Sequence, residues 1–391
     1  MSLPGITFNV NKSGLGRPLA GEDHISGIVF YAASLPSGFG TDREKQVFSL
    51  DEAQTLGIAE GSATFGVLWY HIREYFRIQP DGNLFVGIYP IPSGSYDFAE
   101  VSTLQNFALG KIRQVAVFTT IAGVSTSNVS ALNTVCTNLK NDHKPLIAII
   151  AFDISAVSDL ATLADLRQST TDHYVSVVIG QDGDARGKDL YDSESTSITC
   201  LGAVLGAVSL ASVHESIGYV RKFKLSDSEL DVPAFANGEL ISTKSESFLA
   251  SLNTKGYIFL RTHTGITGSY LNDGHTCVQL TNDLAYIKNN RTIQKALRNV
   301  RTYLLPEVLA PVELNATTGQ LSGAYVESLR GLAGQALNEM VAAEEISGFE
   351  VLINPEQNVQ STGEIVVTLS IVPYAASRTI TVNLGFSKSL S

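Results

Sequence analysis

Apolar runs that alternate with helical patterns dominate the first half of the chain and constrain its fold more than any other feature. Each run is continuous rather than alternating. Continuous apolar strands separated by helices predict a mostly parallel sheet covered on both faces, and so an α/β fold class. The predicted strands are ISGIVFY (25–31), NLFVGIYP (83–90), QVAVFTT (114–120), PLIAIIAFD (145–153) and HYVSVVIGQ (173–181), and the predicted helices span 62–80, 97–109, 127–142, 158–168 and 197–213.

This rhythm stops near residue 216, and a different pattern follows. Two helices are predicted at 289–306 and 321–347, because apolar residues recur there at helical spacing. Two strands are predicted at 348–354 and 363–373, which makes this part α+β. The predicted organisation is an N-terminal arm (1–22), an α/β domain (23–215), a C-terminal α+β domain (216–373) and a C-terminal arm (374–391).

Both ends of the sequence have the pattern of half-buried strands. Apolar and polar residues alternate in ITFNVN (6–11) and again in ITVNLGF (380–386). Chain ends usually fray unless something pairs with them. We therefore expect extended β-strand arms at both termini that pair with a sheet. Their apolar side chains are Ile6, Phe8, Val10, Ile380, Val382, Leu384 and Phe386.

Composition excludes several classes of function. The net charge of the 391 residues is −11 and no block of basic residues occurs, which argues against nonspecific binding to nucleic acid or an acidic membrane. Cys136, Cys200 and Cys277 form no CxxC pair, so we expect neither a disulfide framework nor a zinc site. The start MSLPGITFNV has no signal-peptide pattern, and no apolar stretch is long enough to span a membrane.

The usual signatures of enzymes are missing. The sequence has no GxGxxG after a strand, no GxxxxGK[ST], no GxSxG and no HExxH. Asp153 ends a strand, where a helix cap is the commoner role. The loop QDGDARGKD (181–189) fails the calcium-loop pattern, and His263 and His275 have no supporting carboxylates. We expect no catalytic residue, no cofactor and no metal.

The two C-terminal helices differ in charge. In helix 289–306, Arg291, Lys295 and Arg298 lie opposite an apolar face that includes Ile293 and Leu297. This basic stripe is either a solvated face or an electrostatic contact with an acidic partner or a neighbouring copy.

Helix 321–347 is acidic, with Glu327, Glu339, Glu344 and Glu345 against a lone Arg330, and it contains Gly331 and Gly334. Glycine inside a helix costs about 1 kcal/mol relative to alanine. Packing within the domain and close approach by another molecule both explain the two glycines, and we keep both explanations.

The C-terminal third resembles a known family in the order of its segments. These segments are KGYIFLRTHTGITGSYLNDGHTC, AYIKNNRTIQKALRNVRTYLLPEV, GFEVLINPEQN and GEIVVTLSIVPYAASRTITVNLGF. Their order resembles contractile tail sheath proteins of bacteriophages, of phage-tail-like bacteriocins (tailocins) and of related contractile injection systems. NNRTIQKA and the terminal VNLGF are most similar to sheaths of Mu-like phages.

The resemblance implies a force-generating structural protein. Its subunits would form stacked rings in a helical homo-oligomer around an inner tail tube protein, between baseplate and tail terminator proteins. The sheath would contract to drive the tube through a target envelope. It implies assembly in the bacterial host cytoplasm and a place in a virion tail or tail-like particle, which leaves by lysis or export. Neither nucleic acid nor a membrane is an expected partner.

The resemblance also implies roles for individual residues. The terminal arms would add strands to a neighbouring subunit, the α/β domain would lie outside, and the C-terminal domain would face the tube. Helix 321–347 is the candidate for the tube contact and helix 289–306 the runner-up. The receiving sheet would contain Val351, Ile353, Ile365, Val367, Leu369 and Ile371; the tube-facing residues would be Glu327, Arg330, Gly331, Gly334 and Asn338; the runner-up residues are Arg291, Lys295 and Arg298.

Two alternatives stay open. An α/β enzyme with an unrecognised site is favoured only by the parallel sheet, which is an argument from fold alone. A noncontractile capsid or adhesin protein would also exchange strands between copies. Electron microscopy of the purified protein would separate these hypotheses from a sheath.

Overall fold

The structure is a computed structural model that describes residues 22–386. This part of the chain divides into two compact units, one made of residues 22–210 and 217–285 and the other of residues 211–216 and 286–386. The sequence pattern predicts a boundary near residue 216. The first unit nevertheless continues to Ala285, because the strand that ends the large sheet lies within its second segment.

The first unit is built on a seven-stranded sheet in the order β2-β3-β1-β4-β5-β6-β9. All neighbouring strands in it run parallel except β2, which pairs antiparallel with β3 at one edge. The predicted mostly parallel sheet is therefore confirmed. The strands of this unit are β1 Ile25–Tyr31, β2 Glu44–Val47, β3 Asn83–Tyr89, β4 Gln114–Ala122, β5 Ile147–Asp153, β6 Val175–Val178, β7 Gly180–Asp182, β8 Pro233–Phe235, β9 Tyr257–Ile258, β10 Leu260–His263 and β11 Ile266–Leu271.

Helices pack against this sheet and against one another. The second and sixth helices pack so closely that the contact needs a glycine. A Cβ atom on Gly202 would lie 2.2 Å from the carbonyl oxygen of His71. Among residues 22–386, no helix is both long and apolar enough to cross a membrane. The helices of this unit are α1 Leu50–Thr55, α2 Gly66–Ile78, α3 Ala99–Phe107, α4 Thr126–Asn141, α5 Arg186–Glu194, α6 Leu201–Leu210 and α7 Glu246–Thr254.

The helix predicted at 158–168 is wrong. The segment forms two single 3₁₀ turns, in which Asp159 accepts a hydrogen bond from the Ala161 amide and Asp165 accepts one from the Arg167 amide. Such bonds from aspartate to the nearby backbone compete with helical hydrogen bonding. Arg167 is itself buried and donates to three backbone carbonyls, those of Thr276, Val278 and Ala285.

The second unit is a small α+β structure, as the sequence predicts. Helix α8 packs against α9, and α9 packs against β12. The core between them contains Ala296, Ala336, Leu337 and Met340. The elements of this unit are α8 Ile287–Leu304, α9 Gly323–Ala342, β12 Ile346–Leu352, α10 Val359–Thr362 and β13 Thr368–Pro373.

Candidate functional site

A two-stranded antiparallel sheet is the centre of the second unit. Phe349 faces Ile371 and Val351 faces Leu369 across the ladder between β12 and β13. These four side chains point toward α9 and join its core, because residues two apart on a strand share a face. Only two strands form this sheet in the described part of the chain, so each strand has one edge without a neighbour.

The opposite face of this sheet is exposed and only partly polar. Glu350 and Ser370 are opposite each other in the ladder, and they alternate with exposed Leu352 and Val372. A two-stranded sheet is marginally stable by itself and is stabilised by further strands or by a packed helix. Helix α9 supplies the packing on one face, and the two open edges leave room for more strands.

The C-terminal segment leaves this sheet directly after β13. Its first residues are attached to the start of α8: the carbonyl oxygen of Tyr374 accepts a hydrogen bond from Lys288 Nζ at 2.5 Å, and the Tyr374 ring lies 5.3 Å from that of His214. Four residues later, the guanidinium of Arg378 lies over the ring of Tyr286. The segment therefore begins at a defined place on its own unit.

The residues beyond Arg378 contrast with this attachment. Ile380, Val382, Leu384 and Phe386 have exposed fractions between 76% and 111%, and no strand is assigned to residues 374–386. Apolar side chains this exposed, at every second position, are unusual for a segment that has its final partner. The predicted apolar pattern is therefore present on a segment that pairs with no strand among residues 22–386.

The six residues predicted as a receiving sheet pack together on the α9 side of the hairpin. Val351 and Ile353 are buried, Ile365, Val367 and Leu369 are half-buried against the same core, and Ile371 is half-buried against the core around Met340. The strand predicted from residue 363, however, begins only at Thr368. Gln357 explains the delay, because its side-chain amide bonds both the amide and the carbonyl of Val366 in place of a partner strand. Ile365 and Val367 therefore precede β13, and Ile353 follows β12.

Helix α9 presents most of the residues predicted to face a tube. Glu327, Gly331 and Asn338 are exposed on one side, and Arg330 is half-buried and paired with Glu327. A Cβ atom on Gly331 would meet nothing within 4 Å, whereas one on Gly334 would lie 3.7 Å from the Phe349 ring. Because 3.7 Å is an ordinary van der Waals contact, a methyl group would fit at either position, so packing within the described residues requires neither glycine.

The predicted basic stripe of α8 has a different arrangement. Arg291 is buried and donates a hydrogen bond to the carbonyl oxygen of Ala211, and Lys295 pairs with Glu345 at 2.5 Å. Ile293 and Leu297, which the sequence places on the apolar face of this helix, are exposed. Of the two interpretations of the basic stripe, a solvated face does not hold at Arg291 and Lys295, because each cation has a partner far away in the sequence that helical periodicity does not reveal. A contact with another molecule stays a prediction. Arg298 is half-buried.

The residues considered as enzymatic candidates have hydrogen-bond or ring contacts within the fold. Asp153 accepts hydrogen bonds from the amides of Ser155 and Ser197, as a capping carboxylate does. His275 is buried and contacts Arg167, while His263 lies beside Tyr270 in a hairpin. The loop predicted at 181–189 is partly helical, because α5 begins at Arg186.

The possible metal ligands and the cysteine thiols are the other reactive groups of the described residues. No group of three or more metal-ligating side chains occurs in the described part of the chain. The three cysteines are free and buried, and burial raises the pKa of the Cys136 thiol to about 12 and those of the other two further. A thiol with so high a pKa is protonated at neutral pH and is a poor nucleophile.

Sequence reasoning missed the residues that hold the C-terminal segment at its base, namely Tyr286, Lys288, Tyr374 and Arg378. Their one signal is that Arg378 is the only charged residue between 374 and 386. The predicted N-terminal arm residues Ile6, Phe8 and Val10 lie outside the described residues.

The chain matches two family models that together cover nearly all of it. Residues 3–275 match the DUF2586 N-terminal domain, and residues 283–391 match the DUF2586 C-terminal domain. A search of curated proteins found no match. One solved structure with a similar fold is a chain of the anti-feeding prophage (AFP) baseplate, determined by cryo-EM with 6-fold symmetrisation. The likeness covers 100% of both chains at 14% sequence identity, with a TM-score of 0.62.

Proposed function

The chain belongs to the DUF2586 family, and from this membership and its fold we propose that it is a structural, non-enzymatic subunit of a phage-tail-like contractile injection system. The support is the likeness, over the full length of both chains, to a protein of the anti-feeding prophage baseplate. A particle of that kind is built from repeated copies, which is consistent with an unpaired terminal segment and open strand edges in one unit.

Within such a particle, we propose that the chain is a sheath subunit. The observation that carries this proposal is the exposed alternation of Ile380, Val382, Leu384 and Phe386 in a chain whose β12–β13 sheet has two open edges. A strand added to an edge gains main-chain hydrogen bonds, and its alternate side chains enter the apolar layer under the sheet. The C-terminal segment of one copy would then complete the β12–β13 sheet of another.

In this arrangement, the C-terminal segment would keep neighbouring copies connected when the polymer changes length. The segment is attached near Tyr374 and Arg378, while its apolar residues bind another copy, so the residues between them act as a short connection. Rings joined in this way can rotate and approach one another without losing their contacts. Contraction then needs no nucleotide, because the energy is stored when the longer form assembles around the inner tube.

The remaining partners belong to the same proposal. Helix α9 would contact the tube protein, with Gly331 allowing a close approach, and α8 is the runner-up for that contact. Baseplate and tail terminator proteins would bound the two ends of the polymer. The N-terminal arm, through Ile6, Phe8 and Val10, would supply a second strand to another copy.

A fixed ring subunit of a baseplate is a second candidate function. It is favoured by the fact that the similar solved chain comes from a baseplate. Such a subunit would also exchange strands, but it would form single closed rings and would not contract.

Electron microscopy of the purified full-length protein tests these proposals. Helical polymers or stacked rings support a sheath subunit, and single closed rings support the baseplate alternative. A discrete monomer at high concentration, with its C-terminal segment packed on its own unit, would contradict both. Adding an inner tube protein from the same particle controls for a missing nucleus of assembly.

A further inference from the structure

Charge is distributed very unevenly along the second unit. The stretch from 305 to 373, which contains α9, β12 and β13, has Arg330 as its only basic residue. It contains no aspartate, lysine or histidine. Its carboxylates are Glu307, Glu313, Glu327, Glu339, Glu344, Glu345, Glu350, Glu356 and Glu364.

Several of these carboxylates lie around the hairpin and are exposed. Glu350 is in the middle of β12, Glu356 follows that strand, and Glu364 precedes β13. No ion pair involves these three side chains in the described part of the chain, whereas Glu327 and Glu345 are paired within it. Glu350 lies in β12, and Glu356 and Glu364 lie in the connection between the two strands, so the hairpin carries negative charge that no ion pair compensates in the described residues; we call these three carboxylates the acidic rim (Glu350, Glu356 and Glu364).

The terminal segments have the opposite charge. Residues 374–391 contain Arg378 and Lys388 and no carboxylate side chain, and residues 1–21 contain Lys12 and Arg17 and no carboxylate side chain. Every charged side chain in these two segments is basic, although the whole chain has a net charge of −11. Their charge is opposite to that of the β12–β13 sheet, which is the sheet that the described residues of the second unit form.

We propose that the acidic rim recognises the basic C-terminal segment of a second copy by charge, before the strands pair. This inference rests on the proposed function, because it assumes that the segment adds to the β12–β13 sheet of another copy. It goes further by assigning the first step of that binding to electrostatic attraction. It also makes ionic strength a regulator of how fast copies join.

Physical reasoning supports a role in rate rather than in final stability. Opposite charges on exposed surfaces steer encounter and can raise association rates by about 10-fold or more at low salt. They add little to the stability of the finished contact, because exposed pairs are worth about 0–1 kcal/mol. The apolar side chains Leu384 and Phe386 and the main-chain hydrogen bonds would supply that stability.

The segment does not bind its own rim. Ile380, Val382, Leu384 and Phe386 are almost fully exposed, so the same chain's hairpin does not cover them. Attraction by the rim alone would therefore draw in another copy's segment. The net negative charge of each copy also makes the copies repel one another, which opposes random aggregation.

The test measures the initial rate of assembly of the full-length chain by light scattering, at about 0.01 M and about 1 M NaCl, where the Debye lengths are about 30 Å and 3 Å. Lys388→Glu reverses one charge of the segment, and Lys388→Arg is the charge-preserving control. The triple variant Glu350→Lys, Glu356→Lys, Glu364→Lys reverses the rim. We expect Lys388→Glu to assemble at least about threefold more slowly at low salt, and we expect the combined variant to recover the rate.

High salt provides the internal control. There the variants should assemble at equal rates, because the charges are screened, and the final polymers should look alike. Equal rates for wild type and Lys388→Glu at low salt would overturn the inference while leaving strand exchange intact. Absence of assembly by the unmodified chain at every salt concentration, even with tube protein added, would overturn the proposed function and this inference with it.

Discussion

The guanidinium carbon of Arg378 lies 3.4 Å from the centre of the Tyr286 ring. This contact joins the C-terminal segment to the residue directly before α8, only two residues before its exposed apolar positions begin. The base of the segment is thus attached to its own unit while its tip is exposed. If the tip binds another copy, as we propose, the contact between Arg378 and Tyr286 limits where that copy can bind.

Replacing Arg378 with alanine tests the role of this attachment. A cation–π contact at an exposed site is worth about 0.5–1 kcal/mol, so global stability should change by less than about 1 kcal/mol. Hydrogen exchange of residues 374–379 should become faster, and assembly should slow. Arg378→Lys keeps the charge and is the control; unchanged exchange in the alanine variant would show that the contact does not hold the segment.

The exposed tip gives a second prediction. Leu384→Ala with Phe386→Ala should weaken assembly strongly, because fully burying each side chain would contribute about 1.5–3 kcal/mol. The melting temperature of the monomer should not change, since both side chains are exposed in it. Asn383→Ala, on the other side of the segment, should assemble like wild type. A fall in melting temperature would mean that the residues pack within their own chain.

The main features of the fold could be predicted from the sequence. Continuous apolar runs such as LIAIIAF are read correctly as buried parallel strands, because their neighbours on both faces are helices. Segment 158–168 could not be predicted, because its hydrogen bonds come from Asp159 and Asp165 and override its helical spacing. The sequence predicts the end of β13 correctly but places its start too early. The cause is Gln357, whose side chain accepts a hydrogen bond from the Val366 amide from nine residues away.

The apolar pattern of the candidate site could be read from the sequence, and its charged contacts could not. The alternation of residues 380–386 predicts a strand that pairs with a sheet, and that pairing stays a prediction. Arg291 is buried with a hydrogen bond to the carbonyl of Ala211, and Ile293 on the same helix is exposed. Contacts over such sequence distances have no local signal.

Gly331 gives a prediction in which stability and function move in opposite directions. Gly331→Ala should stabilise the monomer by about 0.5–1 kcal/mol, because alanine favours a helix and the new methyl group meets nothing. The same methyl group should impair assembly around the tube if another molecule approaches α9 closely there. Gly323→Ala, at the exposed start of α9, is the matched control. Thermal melting and assembly with tube protein measure the two effects; normal assembly would remove Gly331 from the tube contact.

His71 predicts a dependence of stability on pH. It is fully buried, and neither ring nitrogen has a hydrogen-bond partner in the described part of the chain. Burial lowers its pKa to about 3, against an ordinary value of 6.5. Between pH 6.5 and pH 3, the histidine is therefore protonated in the unfolded chain and neutral in the folded chain. The contribution of His71 to the free energy of unfolding is constant above pH 6.5. Below it, the free energy of unfolding falls by up to about 1.4 kcal/mol per pH unit as the pH drops toward 3.

The variant His71→Leu isolates this effect from other titrating groups. Asp182 in particular acts in the opposite direction, because burial raises its pKa to about 6. The free energy of unfolding of the variant, measured by urea titration between pH 7 and pH 4, should exceed that of wild type by a margin that grows as pH falls. A constant margin would mean that His71 is not kept neutral.

Removal of residues 378–391 asks whether the C-terminal segment links one copy to the next. We expect the truncated chain to keep the circular dichroism and melting temperature of the full-length protein and to form no polymers or rings by electron microscopy. A chain lacking only residues 387–391, which keeps the four apolar side chains, should still assemble. A truncated chain that assembles like the full-length protein, or one that unfolds, would contradict the claim that this segment links one copy to the next.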